Sequence, residues 1–283
     1  MRAISTIAGY ALRESIRRKV FAVVSLLTAA FLALYWLGAS KAFDETAGIV
    51  PPAGIEPVEL VGATLFGLSM FATLFLGTIL AVFLTLGAVR GDADRGLLQP
   101  LVVRPVGRST FLIGRFLGAA GVCSAYVIAV FLAAALLTRL AGGWTPDRIL
   151  VPVLELALAV TILVALSLLG SVVLSATANG IAIFMIFGGG LVAGLLGQIG
   201  EALQSDTLAT VAHVSSWVLP FEALYQDALY RITSGTAGFT RAALQLGPFG
   251  GAEIAGAWLP LWTVAYLAVA LSAAALVFRR RDL

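Results

Sequence analysis

The stretch LALAVTILVALSLLGSVVLSATANGIAIFMIFGGGLVAGLLGQIG, from Leu156 to Gly200, contains no charged residue. A helix needs about 20 apolar residues to cross the hydrocarbon layer of a bilayer. The run is therefore too long for one crossing. It breaks at Ser175-Ala-Thr-Ala-Asn-Gly180, where small polar residues and an Asn-Gly pair signal a tight turn. Two spans joined by a short turn follow, and they set the parity of the whole chain.

Four further uncharged runs lie outside this one: Val20 to Gly38, Leu60 to Val89, Phe116 to Thr138 and Ile254 to Phe278. Each clears the length of a spanning helix. The chain is 60% hydrophobic and only 12% charged, with a mean hydropathy of +1.01. Soluble domains carry about a quarter charged residues. The sequence predicts an all-α polytopic membrane protein of one transmembrane domain over 1–283, with spans at 20–38, 60–89, 111–138, 150–175, 180–200 and 255–278. The first apolar run begins after a basic stretch and is long enough to span, so it is read as a retained helix rather than a cleaved signal.

Lys and Arg concentrate in cytoplasmic loops. With six spans, thirteen of the eighteen basic residues fall on one side: before span one, between spans two and three, and after span six. The other side holds Lys41, Arg139, Arg148, Arg231 and Arg241. Both termini are expected in the cytoplasm, in a cell (inner) membrane. This asymmetry accounts for the pI near 9.3 without a nucleic-acid partner.

Ahead of span one, Ile4, Ile7, Ala8, Ala11 and Leu12 recur on one helical face. This predicts an amphipathic helix over 1–19 lying in the membrane surface, with Arg17-Arg18-Lys19 doubling as a topology anchor. Between spans one and two, Ala39 to Glu59 reads as a solvated loop with three prolines. The segment 201–254 is read as external. Within it Phe221, Leu224, Tyr225, Ala228, Leu229 and Ile232 trace one face, with Glu222, Gln226 and Asp227 opposite and Pro220 suited to a helix start. This helix is placed at the outer interface, as a packing element or as a lid. In span five, Gly190, Gly194 and Gly197 are small residues at helix-packing spacing.

Several chemistries lack their residues. Carriers and pumps keep ionisable groups in their spans for ions or protons; here the span interiors hold none, and Glu155 near the outer end of span four is read as an interfacial, snorkelling acid. His213 is the sole histidine and has no Cys partner, which speaks against a metal centre and for a satisfied surface residue. Cys123 stands alone within span three and reads as a packing residue. Neither lysine, Lys19 or Lys41, belongs to a GxxxxGK[ST] phosphate loop. No catalytic residue, metal or cofactor is assigned to this chain.

The connector 90–110 is the segment that remains unexplained. It opens RGDADRGLLQPLVVRPVGRS, with Gly91 and Gly96 as punctuation, Pro100 and Pro105 restricting the backbone, and leucines and valines between the charges. A rule about positive loops explains the arginines but not Asp92 and Asp94. Ser109 is placed to cap the next helix, with Arg115 able to snorkel back to the interface. A short structured cytoplasmic element that takes a push from another protein has this character.

The pattern Gly91-Asp-x-Asp-Arg-Gly-x-Leu, then Arg104-Pro-Val-Gly-Arg, then Gly114-Arg-x-x-Gly118, resembles the connector between spans two and three of ABC-2 type transporter permeases, including the NosY-like branch. The six spans, the N-terminal amphipathic helix and the ending Phe278-Arg-Arg-Arg-Asp282-Leu are similar in layout. Leu97 stands where that family commonly has Thr, and Pro100 falls inside the short coupling helix, which delays its start. The resemblance implies a permease, most often an exporter, pairing with an identical or similar second permease subunit. Two copies of a separate ATPase would bind ATP and Mg on its cytoplasmic face. It further implies that Asp92, Asp94, Arg95, Gly96, Leu98, Pro105 and Arg108 form the ATPase-coupling element. Two other readings stay open: a membrane assembly factor for an exported metalloenzyme, and an ATP-independent carrier or channel.

Overall fold

A computed structural model describes residues 19–46, 56–86, 107–235 and 256–280. The surface helix read over 1–19, except Lys19, most of the coupling segment, and the later part of the external segment lie outside the described residues. Eight helices are described: α1 (Lys19–Thr46), α2 (Pro57–Thr85), α3 (Arg108–Gly142), α4 (Leu150–Val173), α5 (Ala176–Ala202), α6 (Asp206–Val218), α7 (Pro220–Ile232) and α8 (Leu259–Arg279). Six of them, α1 to α5 and α8, are long and apolar enough to cross a membrane. There is no strand among the described residues.

The helix ends follow local chemistry. α2 starts with Pro57 in its first turn, where a missing N–H costs nothing. α3 ends at Gly143, whose φ of 71° is the left-handed conformation that a C-terminal glycine adopts without strain, and whose N–H bonds the Arg139 carbonyl. Its start corrects one expectation: Gly107, not Ser109, is the residue before the first turn, and no side chain caps it. The turn expected over 175–180 is tighter than read. α4 ends at Val173 and α5 already begins at Ala176, with Ser175 Oγ accepting from the Ala178 N–H. Asn179 and Gly180 therefore belong to the first turns of α5.

α1 runs past Gly38 to Thr46, although the sequence placed a loop from Ala39. The reason is a stripe at four-residue spacing: Tyr35, Ala39 and Phe43 are all buried. The Phe43 ring occupies the space where a Cβ on Gly142 of α3 would stand. Packing thus carries the helix beyond the hydrophobic run, with Lys41, Asp44 and Glu45 on its last turns.

α4 is central and packs against α2, α3, α5, α7 and α8. Its apolar face, with Leu156, Ile162, Leu163 and Leu168 fully buried, shares one core with Phe66, Met70 and Leu74 of α2 and Phe131 of α3. Phe66 and Phe131 pack edge to face with ring centroids 5.1 Å apart. α1, α5 and α8 are peripheral, with most of their surface facing outward. In lipid there is no hydrophobic drive between helices, so small residues and polar cross-links supply the contacts. Gly77 of α2 lets Val127 and Val160 approach. Hydroxyl pairs join α1 to α3 (Thr28–Tyr126, Tyr35–Thr138), α2 to α4 (Thr85–Ser167) and α3 to α4 (Ser124–Thr161).

Asn179 extends this set to α5. Its Nδ2 donates to the Ser167 carbonyl at 2.9 Å and to Ser167 Oγ at 3.3 Å. Its Oδ1 sits where a side chain on Gly170 would be. Asn179→Ala is expected to cost about 1 kcal/mol, the usual worth of an interhelical hydrogen bond in a membrane protein. A lowered thermal midpoint in detergent would register it, whereas an unchanged one would show the amide to be idle.

Candidate functional site

Three places carry side chains with more to do than fill space. At the N-terminal end of α3, Arg108 Nη1 donates to the carbonyls of Phe278 and Arg279, both at 3.2 Å, and its guanidinium lies over the Phe278 ring. The final carbonyls of a helix lack intrahelical partners and carry partial negative charge, so a guanidinium there satisfies and neutralises them at once. Phe111 packs near the same Phe278 ring, and Arg115 stacks on Phe111. Arg108 is the one coupling residue named from the sequence that falls among the described residues, and here it ties α3 to the end of α8. Asp92, Asp94, Arg95, Gly96, Leu98 and Pro105 lie outside them.

The second place is the glycine face of α5. Gly190 lies against the ring of Phe221, Gly194 against the ends of Glu222 and Gln226, and Gly197 against Ala212. The small residues thus make room for α6 and α7, which fold back along α5. Between Gly190 and the end of α5 at Ala202 lie about three helical turns. α7 reaches that far in, instead of resting at an outer surface as the sequence suggested. Its apolar face, from Phe221 to Ile232, is buried as read, but Glu222 and Asp227 on the face read as polar are buried as well. The cause is enclosure: α7 is packed by α4, α6, α8, α5 and α2. A helix that does not span the bilayer is tolerated at depth only when protein surrounds it in this way.

The third place is the charged seam between α4 and α7. Arg231 Nε donates to Asp227 Oδ2 at 2.7 Å, within α7, and lies 3.3 Å from Glu155 Oε1 of α4. Glu155 is only 9% exposed, so it is a buried partner of Arg231 and not a snorkelling acid. Beside it, Gln226 Nε2 donates to Glu222 Oε1 at 2.9 Å. The hydrogen bond to Asp227 holds the Arg231 guanidinium above its ordinary range, with burial working the other way. Burial, followed by the neighbouring Glu222 carboxylate, pushes the Tyr225 phenol up. The turn before α4 closes the same end: Asp147 Oδ2 accepts from the Gly235 N–H at 2.7 Å, and the Asp147 N–H donates to the Ile232 carbonyl at 3.2 Å.

Sequence reasoning missed the Glu155 to Arg231 contact. The available signal was an acid within an apolar span together with an Asp227/Arg231 pair at i,i+4 on an amphipathic helix. His213 is exposed and accepts from Trp217 Nε1 at 3.3 Å, next to an aromatic group formed by Trp217, Trp262 and Tyr266. Cys123 is fully buried among apolar neighbours. Among the described residues, no three His, Cys, Asp or Glu side chains converge as metal ligands.

Against known proteins, the ABC-2 family transporter protein family matches residues 5–283. The chain is 32% identical over 119 residues to the probable ABC transporter permease protein NosY of Pseudomonas aeruginosa, a match covering 42% of this chain and 39% of that protein. The corresponding protein of Stutzerimonas stutzeri is 29% identical over 119 residues, with the same coverage. The matched region thus spans about two-fifths of each relative's length. The family match, in contrast, runs from ahead of the first span to the last residue and encompasses all six apolar helices. The chain belongs to the ABC-2 transporter family and is a multi-pass membrane protein.

Proposed function

We propose that this chain is the permease subunit of an ABC exporter in the cell membrane, with both termini cytoplasmic, driven by a separate ATPase. The observation that carries the reading is the family match over residues 5–283. Two copies of the ATPase, each binding ATP and Mg, would dock beneath two permease subunits, identical or similar, and substrate would pass between them. The absence of a phosphate loop from the sequence supports a motor on another chain. The basic asymmetry supports the orientation.

In this reading the segment 90–110 receives the motion of the ATPase, and Asp92, Asp94, Arg95, Gly96, Leu98, Pro105 and Arg108 form its coupling element. Arg108 joins the segment to the bundle through the last carbonyls of α8. The test therefore spares Arg108, whose loss would disturb the fold. Asp92→Arg with Asp94→Arg is expected to insert normally yet fail to co-purify with its ATPase, and transport should fall by at least tenfold. Retained pairing and retained ATP-dependent transport would refute the coupling assignment.

A further inference from the structure

The seam between α4 and α7 brings two buried carboxyl groups to the guanidinium of Arg231. Glu155, Glu222 and Asp227 are 9%, 5% and 2% exposed, whereas the Arg231 side chain keeps 27% of its surface open. Two carboxylates converge on one N–H, at 2.7 Å from Asp227 and 3.3 Å from Glu155. The closer, ionic partner is Asp227. The other oxygen of Glu155, Oε2, is buried and receives no hydrogen bond from the described residues. Ionised carboxylates only accept hydrogen bonds, so two of them sharing a buried site repel and leave lone pairs unmet. A carboxylic acid donates an O–H and turns one of the facing acceptors into a donor.

We propose that Glu155 and Asp227 form a proton-binding site, in which Glu155 carries a proton that it shares with the Asp227 carboxyl group, Arg231 pairs with Asp227, and the proton latches α7 onto α4. Nothing in this depends on the transport reading or on which side of the membrane the seam faces.

The surrounding charges leave that assignment in place. On α7 itself, Glu222 is served by Gln226 and lies against Gly194 of α5. The turn before α4 carries Asp147 and Arg148, both exposed. Among the helices packed against α4 and α7, α2 carries Glu59, α3 carries Arg139 in its last turn, α6 carries Asp206 and His213, and α8 carries Tyr266. Of all these groups, Asp227 and Arg231 are the ones that act on Glu155. On release, the O–H bond of the Glu155 carboxyl breaks heterolytically and the proton passes to water, with no redox change. The docked form binds one more proton than a form with Glu155 exposed. By linkage, docking weakens as pH rises above about 4.3, where an exposed glutamate ionises.

Infrared spectroscopy of the full-length protein in lipid nanodiscs tests the site at neutral pH. Wild type should show a protonated-carboxyl C=O stretch. The band should vanish in Glu155→Gln and also in Asp227→Asn, where the remaining carboxyl is left alone with Arg231 and ionises; Glu222→Gln should keep it. No band in wild type, or a band that survives either Glu155→Gln or Asp227→Asn, overturns the shared proton. Hydrogen exchange on the same samples tests the latch without relying on a spectral assignment. After correction for intrinsic rates, amide exchange in residues 220–232 should rise severalfold in wild type between neutral and alkaline buffer and stay level in Glu155→Gln. Protection that is independent of pH in wild type overturns the latch.

Discussion

Arg231→Ala should lower stability by about 3 kcal/mol, because it strands Asp227 in a buried site beside Glu155. Breaking a buried pair by removing one partner costs roughly 3–5 kcal/mol. The low end applies here, since Arg231 is about a quarter exposed and water screens part of the loss. For a chain of this size the thermal midpoint in detergent should fall by on the order of 6–12 °C. Removing the second partner as well should recover much of this. The Arg231→Ala, Asp227→Asn double variant is expected to be more stable than Arg231→Ala alone, because the orphaned charge is then gone. A double variant no better than the single would mean that the guanidinium acts through its packing and not through its charge. Arg231→Lys should fall between, since an ammonium lacks the flat fork that reaches two carboxylates.

Gly190→Leu should be the other severe substitution. A Cβ at Gly190 would stand 2.6 Å from Phe221 Cζ and 3.2 Å from its Cε2. That ring has nowhere to go. Phe221 is fully buried and lies nearly parallel to Phe187 at 6.0 Å, and Phe187 is itself flanked by Phe71 and Phe75. Overpacking a filled core costs about 1–3 kcal/mol, and Leu should reach the top of that range by lifting the first turn of α7 away from α5. Gly189 gives a matched control one residue away. Nothing stands within 4 Å of a Cβ there, so Gly189→Ala should be neutral or stabilising by up to about 1 kcal/mol. Thermal midpoints of the two variants in the same detergent make the comparison, and equal effects would remove Phe221 as the cause.

The six apolar helices were readable because a lipid environment imposes a coarse rule: about 20 uncharged residues satisfy it wherever they occur. Helix ends were less readable, because they depend on neighbours. Tyr35, Ala39 and Phe43 extend α1 only because α3 offers Gly142 to receive the last of them. Asn179 looks like a turn residue in isolation and becomes part of a helix because Ser167 of α4 holds its amide. The face of α7 was legible from its period, but its depth was not. Glu222 and Asp227 mark a water-facing surface in a free helix, and only the approach of α4 and α5 converts them to interior groups. Glu155 shows the same limit from the other side. A single acid in an apolar run suggests a snorkelling residue until the cation some 76 positions further on is brought beside it.

α3 is 35 residues long, about 52 Å at 1.5 Å per residue, and so outreaches a hydrocarbon layer roughly 30 Å thick. One tip is clasped by Arg108 to the last carbonyls of α8, and the other is seated against Phe43 of α1. A rigid rod fastened at both extremities cannot tilt without carrying what is attached to its tips. Pivoting about one tip by about 10° displaces the far tip by about 9 Å, on the length given by the helical rise. A tilt of α3 would therefore take the end of α1 and the end of α8 with it, so the two ends of the bundle are joined through one stiff helix.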